Sequence, residues 1–283
     1  MRLLRLLLFG ISALTGLWAC HKSSLQISSP PADWQPAASA LPQAHAHNDY
    51  LHEHPLYDAL SRGFASIEVD IYHAGNELYV GHEPKELQKD RTLTYLYLDP
   101  LRSLIEQNSG KVYGNLSPLI LLIDIKTDAD NTYKALRRVL KKYEAILTTF
   151  ENDVAKPGPL LVIVSGRRPR VLMQAERKRY AAYDGRLEDL NMPATSAFIP
   201  LISDDWSKNF TWRGEGEMPH AEREKLQQIV ASAHARGQRL RFWDTPDAAT
   251  ATREAVWREL LQQKVDLIGT DDLQGLSEFL ARP

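Results

Sequence analysis

Glu68 and Asp70 stand two apart in the stretch Ser66 to His82, S-I-E-V-D-I-Y-H-A-G-N-E-L-Y-V-G-H. The stretch reads as a strand, a turn at Ala74-Gly75-Asn76 and a second strand ending on His82. Alternate strand residues share a face, so the two carboxylates point the same way. On the inward face of an apolar strand they repel each other and resist desolvation, a conflict that a bound cation or a cationic substrate resolves. A second pair, Asp124 and Lys126, ends the apolar run Leu119 to Ile125 and again shares a face. Glu68, Asp70 and Asp124 together supply hard oxygen ligands, which suit Mg2+ or Ca2+ better than Zn2+.

Histidines complete the set. Four fall between His45 and His54, and His82 closes the organising stretch. His47 and His82 could serve as general base and general acid, with Lys126 as a fixed positive charge beside the metal. That combination fits phosphodiester cleavage, in which metal and lysine offset phosphate charge and one histidine protonates the leaving oxygen. A structural alternative is a buried salt-bridge network of Glu68 and Asp70 with Lys126 and Arg241. Ser165 has no G-x-S-x-G context, which sets aside a serine hydrolase.

These residues need a scaffold. Buried strands are expected at Leu119–Lys126 and Leu160–Val164, and further strands at Arg239–Asp244 and Val265–Gly269. Helices are expected at Pro55–Arg62, Leu93–Gln107 (broken by Pro100), Asn131–Phe150, Arg167–Tyr180, His220–Arg236, Thr252–Gln263 and Leu276–Ala281. Residues 181–218 are the least legible, with a possible strand at Ala197–Ile202 and a long loop from Ser203 to Met218. Strands alternating with helices give about eight strands, the number of an α/β (β/α)8 barrel, a TIM barrel. His47, Asp70, His82, Asp124, Lys126, Ser165, Trp243 and Asp271 then gather at the C-terminal strand ends, where such barrels build their sites.

The chain has 283 residues and is nearly neutral, with 34 Lys and Arg against 36 Asp and Glu, so nothing suggests nucleic acid. Residues 41–283 form one domain, preceded by two other segments. Residues 1–19 pair a basic start with an apolar run, Leu6 to Trp18, too short to favour a spanning helix. Cys20 follows as the sole cysteine, which suggests a bacterial lipoprotein signal with Cys20 as lipid anchor. Residues 20–40 read as a flexible tether, and the expected location is a bacterial cell envelope, on the periplasmic face or the outer membrane. A lone cysteine excludes an intramolecular disulfide framework.

The ordered series H-N-D-Y, I-E-V-D, V-G-H, D-I-K, F-W-D and G-T-D-D, with a glycine five residues before Glu68, resembles the phosphatidylinositol-phospholipase-C-like phosphodiesterases. Within that superfamily it is most similar to the altered-inheritance-of-mitochondria-6-type proteins, which carry H-N-D-Y. The resemblance implies a PLC-like barrel and hydrolysis of a small-molecule or lipid phosphodiester, and a monomer is expected. It implies His47 and His82 as the acid/base pair, with His45 as rival for the first role. Glu68, Asp70 and Asp124 are implied as metal ligands, Lys126 as phosphate contact, and Asn48 and Trp243 as substrate contacts. The H-R-G and P-E-N-T segments of glycerophosphodiesterases are absent; Asn48 or Asp49 could compensate for the missing glutamate. A non-catalytic module binding a phosphorylated ligand, and a metal-free phospholipase-C-type lyase, are the competing readings.

Overall fold

A computed structural model describes residues 30–282 except Asp33, Leu116 and Ser117. The expected leader and Cys20 therefore lie outside the described residues. In chain order the strands are β1 (Leu41–Ala46), β2 (Phe64–Ala74), β3 (Glu77–Val80), β4 (Leu119–Ile125), β5 (Thr149–Glu151) and β6 (Val154–Lys156). They continue as β7 (Leu160–Gly166), β8 (Lys178–Arg179), β9 (Ala182–Gly185), β10 (Leu201–Asp205), β11 (Arg239–Trp243) and β12 (Leu267–Thr270). The helices are α1 (Tyr57–Ser61), α2 (Asp99–Gln107), α3 (Ala129–Leu140), α4 (Arg170–Gln174), α5 (Trp206–Asn209), α6 (His220–Ala235), α7 (Ala251–Gln262) and α8 (Leu273–Leu280).

Eight parallel strands close into a ring in the order β1-β2-β4-β7-β9-β10-β11-β12. The fold is thus the expected α/β (β/α)8 TIM barrel. β3 folds back antiparallel on the upper half of β2, and β6-β5-β8 form a small separate sheet.

Alternation divides each strand between two cores. On β4, Leu119, Leu121, Ile123 and Ile125 join the large core under the helices. Ile120 and Leu122 face inward with Ile163, Ala182, Leu201 and Leu267. Phe150 of the small sheet joins this inner cluster, and Thr148 N–H donates to Leu160 O at the start of β7. The expected helix continues past α3 only as a 3-10 turn over Lys141–Ile146, and it ends there because β-branched Thr148 and Thr149 and aromatic Phe150 favour a strand.

Three other expectations change. Pro100 opens α2 instead of breaking a helix, because Thr94–Leu98 winds as a separate π turn and proline is tolerated in a first helical turn. The basic stretch after β7 yields only five helical residues before β8. Between 181 and 218, β9 is a strand that the sequence pattern hides, and β10 starts at Leu201, just past Pro200. The eighth barrel strand is therefore β9, not the hairpin strand β3. Upstream, Trp34 stacks edge-on against Tyr57 at 4.9 Å and donates to its carbonyl at 2.9 Å, so this part of the expected tether packs on the barrel.

Above the apolar inner layer the barrel interior turns polar. Glu68 on β2 takes Arg241 Nη2 of β11 at 2.6 Å and His45 Nε2 of β1 at 3.0 Å, with all three residues buried. Removing one partner of such a pair leaves an uncompensated buried charge. Arg241→Met is expected to lower unfolding free energy by roughly 3–5 kcal/mol in urea titration. The double variant Glu68→Gln with Arg241→Met should recover much of that loss. A single-variant loss below about 1 kcal/mol would show that the pair does not hold β2 to β11.

Candidate active site

Three carboxylates converge at the top of the interior. Asp70 and Asp124 are register partners on β2 and β4, and Glu68 lies one inward step below Asp70. One ligand oxygen from each lies within 4.8 Å of the others. Lys126 Nζ bridges two of them, 3.2 Å from Asp70 Oδ2 and 3.3 Å from Asp124 Oδ1. Tyr50 OH donates to Asp70 Oδ2 at 2.7 Å, while Asp70 Oδ1 is buried without a hydrogen-bond partner.

The electrostatics follow from this geometry. Burial pushes Asp70 up to about 6; Asp124 and Glu68 add to the rise, and Lys126 opposes it. Asp124 is raised too, by burial first and by Glu68 in addition, with Lys126 again opposing. Burial works against the Lys126 ammonium, but its two carboxylates outweigh that and hold its pKa above the ordinary lysine value. Burial also works against the Glu68 carboxylate, yet Arg241 and His45 keep it well below the usual range. Gly166 at the end of β7 leaves the room that Asp124 needs, since a Cβ there would sit 2.0 Å from Asp124 Oδ1.

The two candidate first histidines separate cleanly. His45 is fully buried, and burial together with Arg241 lowers it to about 4, so it is neutral at neutral pH. A carboxylate can only accept, so His45 donates from Nε2 to Glu68, and Nδ1 accepts from Ser66 Oγ at 2.7 Å. His47 lies just past β1 on the loop, its side chain 37% exposed, with Nδ1 2.8 Å from Asp271 Oδ1. Burial lowers the basicity of His47, but Asp271 and the nearby Glu68 outweigh it and raise the pKa above 6.5.

The rest of the H-N-D-Y loop is fixed residue by residue. Asn48 adopts a left-handed backbone (φ 47°), which Asn tolerates, and its Nδ2 lies 3.0 Å from His47 Nδ1. Its Oδ1 accepts from Tyr50 OH at 3.1 Å. Asp49 points away from the carboxylates, accepting from Leu56 N–H at 2.6 Å and Tyr97 OH at 2.8 Å. It is therefore the loop's internal anchor and does not replace the missing glutamate. Burial pushes its pKa up to about 7.

Trp243 is half-buried on β11 and shares a cavity of about 170 Å³ with His47, Arg241, Asp247 and Asp271. His82 lies exposed on the loop after β3. Its N–H donates to Glu86 Oε2 and its carbonyl accepts from Tyr72 OH, while Gly81 N–H donates to Asp70 O. The backbone is thus clamped beside β2, and the His82 side chain makes no hydrogen bond among the described residues.

Sequence reasoning missed Tyr50, Gly166 and the pair Asp184–Arg186. Tyr50 could have been found as the end of H-N-D-Y. Asp184 and Arg186 lie in the stretch where the strand pattern is too short to see. As a donor set, three carboxylates with one unpartnered buried oxygen fit a hard divalent cation better than a soft one.

Comparison with known proteins agrees with this arrangement. Residues 37–184, more than half of the chain, match the model of the AIM6-like phosphodiesterase domain. The chain is 30% identical to an altered inheritance of mitochondria protein 6 homolog of Arthroderma benhamiae, over 83% of this chain and 82% of that protein. It is 29% identical to the protein of that name from Eremothecium gossypii, over 84% and 69%, and 29% identical to that from Candida glabrata, over 83% and 70%. These relatives are fungal and are named for mitochondria, which corrects the expected location in a bacterial cell envelope. No helix among the described residues is long and apolar enough to cross a membrane. By family match and by relatives alike, the chain belongs to the AIM6-like phosphodiesterase domain family.

Proposed function

We propose that this chain is a metal-dependent phosphoric diester hydrolase that acts on a small-molecule or lipid phosphodiester. The observation that carries the reading is the convergence of Glu68, Asp70 and Asp124, together with a buried Asp70 oxygen that has no partner. Charge supports it. Glu68, Asp70, Asp124 and Asp184 are paired with Arg241, Lys126 and Arg186, with His47 also near Glu68, and a divalent ion would add the positive charge that a phosphodiester needs.

Glu68, Asp70 and Asp124 would hold Mg2+ or Ca2+, which supplies Lewis-acid offset of phosphate charge when bound. Lys126 adds a fixed ammonium at the same phosphate. His47, whose Nδ1–H donates to Asp271, is favoured as the imidazolium, which also carries a proton at Nε2 for the leaving oxygen. His82, across β2, is the partner base for the attacking water or substrate hydroxyl. Asn48, whose Nδ2 donates to Asp271 Oδ1 at 3.4 Å, steadies the carboxylate that holds His47 and faces the substrate, and Trp243 lines the cavity beside it.

Hydrolysis of bis(p-nitrophenyl) phosphate is expected in Mg2+ or Ca2+ and not in EDTA. His47→Ala should lower kcat by roughly 10²–10⁴. Asp70→Ala should abolish turnover together with the metal-induced rise in Tm. Turnover that survives EDTA and Asp70→Ala would overturn the metal-dependent reading. No turnover with either ion, with no metal-induced rise in Tm, would instead favour a binding module.

The pH profile tests the role of His47. A general acid must be protonated, so kcat should fall as pH rises through a value above 6.5, where Asp271 places it. Asp271→Asn removes the charge that raises this pKa and should move the basic limb to lower pH. An unmoved limb would assign it to another group.

A further inference from the structure

Asp184 on β9 is fully buried among three donors. Ser165 Oγ of β7 and Ser203 Oγ of β10 each lie 2.6 Å away, and Arg186 Nη1 lies 2.7 Å away. Two hydroxyls already satisfy much of this carboxylate. The guanidinium is held above it at the barrel mouth, its side chain 22% exposed against 1% for Asp184. Both of its bonds, to Asp184 Oδ2 and Gly185 O, use Nη1. Among the described residues, Nε and Nη2 take no partner. A fork held by one nitrogen offers its remaining edge to a bidentate anion.

Position separates this group from the hydrolytic machinery. In the closed ring, β9 lies four strands from β1 in either direction, so Arg186 stands across the mouth from His47. Lys126, on β4, is engaged by Asp70 and Asp124. Asp244, Asp247 and Asp271 line the cavity of His47, whereas the Arg186 wall mixes Arg167 and Arg168, which leave β7 beside β9, with Asp189 and Asp204 near Arg186.

We propose that Arg186 is a second anion-binding point of this site. The substrate class is then a phosphodiester with a further negative group, phosphomonoester or carboxylate, on the side of the scissile phosphorus away from His47. The proposal rests on the phosphodiesterase reading for the placement of that phosphorus. Asp184, with Ser165 and Ser203, positions the guanidinium.

The test is calorimetric binding to the full chain in Ca2+, on a His47→Ala background that suppresses turnover. Glycerophosphoinositol 4-phosphate is compared with glycerophosphoinositol, and glycerophosphoserine with glycerophosphoethanolamine. At least one doubly anionic member should bind about tenfold tighter than its mate, a gap of about 1.4 kcal/mol. Which pair shows the gap identifies phosphate or carboxylate as the group read. Arg186→Gln should close the gap to within about twofold, and Arg186→Lys should keep part of it. Equal affinities within both pairs, no binding of either doubly anionic ligand, or a gap that survives Arg186→Gln would overturn the proposal. The wild-type Arg186 comparison stands even if the glutamine variant fails to fold. Failure of the phosphodiesterase reading shows separately, as absent hydrolysis of bis(p-nitrophenyl) phosphate.

Discussion

The structure is governed by the cost of placing acidic side chains inside a barrel. Glu68, Asp70, Asp124 and Asp184 are all partly or fully withdrawn from water, and three of them are close enough to repel. Burial of a charge is tolerated only with a partner and hydrogen bonds. Each of the four receives them in full or in part: Arg241 and His45 on Glu68, Arg186 and two serines on Asp184, Lys126 on Asp124, and Lys126 with Tyr50 on Asp70. Asp70 must share Lys126, and one of its oxygens has no partner at all. Its pKa of about 6 records that imbalance. Buried ion pairs seldom outperform apolar packing of the same volume, and the lower interior shows that this chain can pack apolar side chains there. A charged upper layer is therefore better explained by what it binds than by what it stabilises.

The same constraint separates two histidines that sequence leaves side by side. Strand alternation turns His45 inward, where burial and Arg241 strip its proton and make it a neutral brace for Glu68. Two residues on, the strand has ended and His47 meets Asp271, which raises its affinity for a proton. Environments that push two like groups apart in pKa are the usual means of assigning them different tasks. The loop between them and α1 is built to keep that difference. Asn48 takes the left-handed turn, Asp49 locks onto Leu56 N–H and Tyr97, and Tyr50 returns to Asp70.

Much of this was legible because the signal is carried by period and by contrast. Glu68 and Asp70 stand out within Ile67, Val69 and Ile71, and Asp124 within a run of leucine and isoleucine, so strand, face and end are all visible at once. Arg239 to Trp243 and Leu267 to Thr270 are readable for the same reason. β9 was not, because Ala182-Tyr183-Asp184-Gly185 is four residues long and offers no alternation of apolar with polar groups. The helix over-extended to Phe150 failed for a different reason. Its last residues obey a tertiary demand, the closing of the lower barrel, that no local pattern announces. Asp49 could be seen as a polar residue in a polar loop, but its direction is set by Tyr97, which lies 48 residues away.

Long-range pairing also decides how the site divides between the two parts of the chain. The match to the family model ends at Asp184, after His47, Glu68, Asp70, His82, Asp124 and Lys126 have all been supplied. Yet Glu68 is neutralised by Arg241, 173 residues later, and His47 is held by Asp271, 224 residues later. The first part of the barrel thus carries the groups that would meet the metal and the phosphate. The second carries the charges that set the protonation of Glu68 and His47, together with Trp243 in the cavity beside His47. Arg186 falls at the seam, two residues past the matched segment, just beyond the end of β9, the strand opposite β1. Variation beyond Asp184 can then alter what the mouth accepts while the carboxylates stay in place, provided that Arg241 and Asp271 are kept.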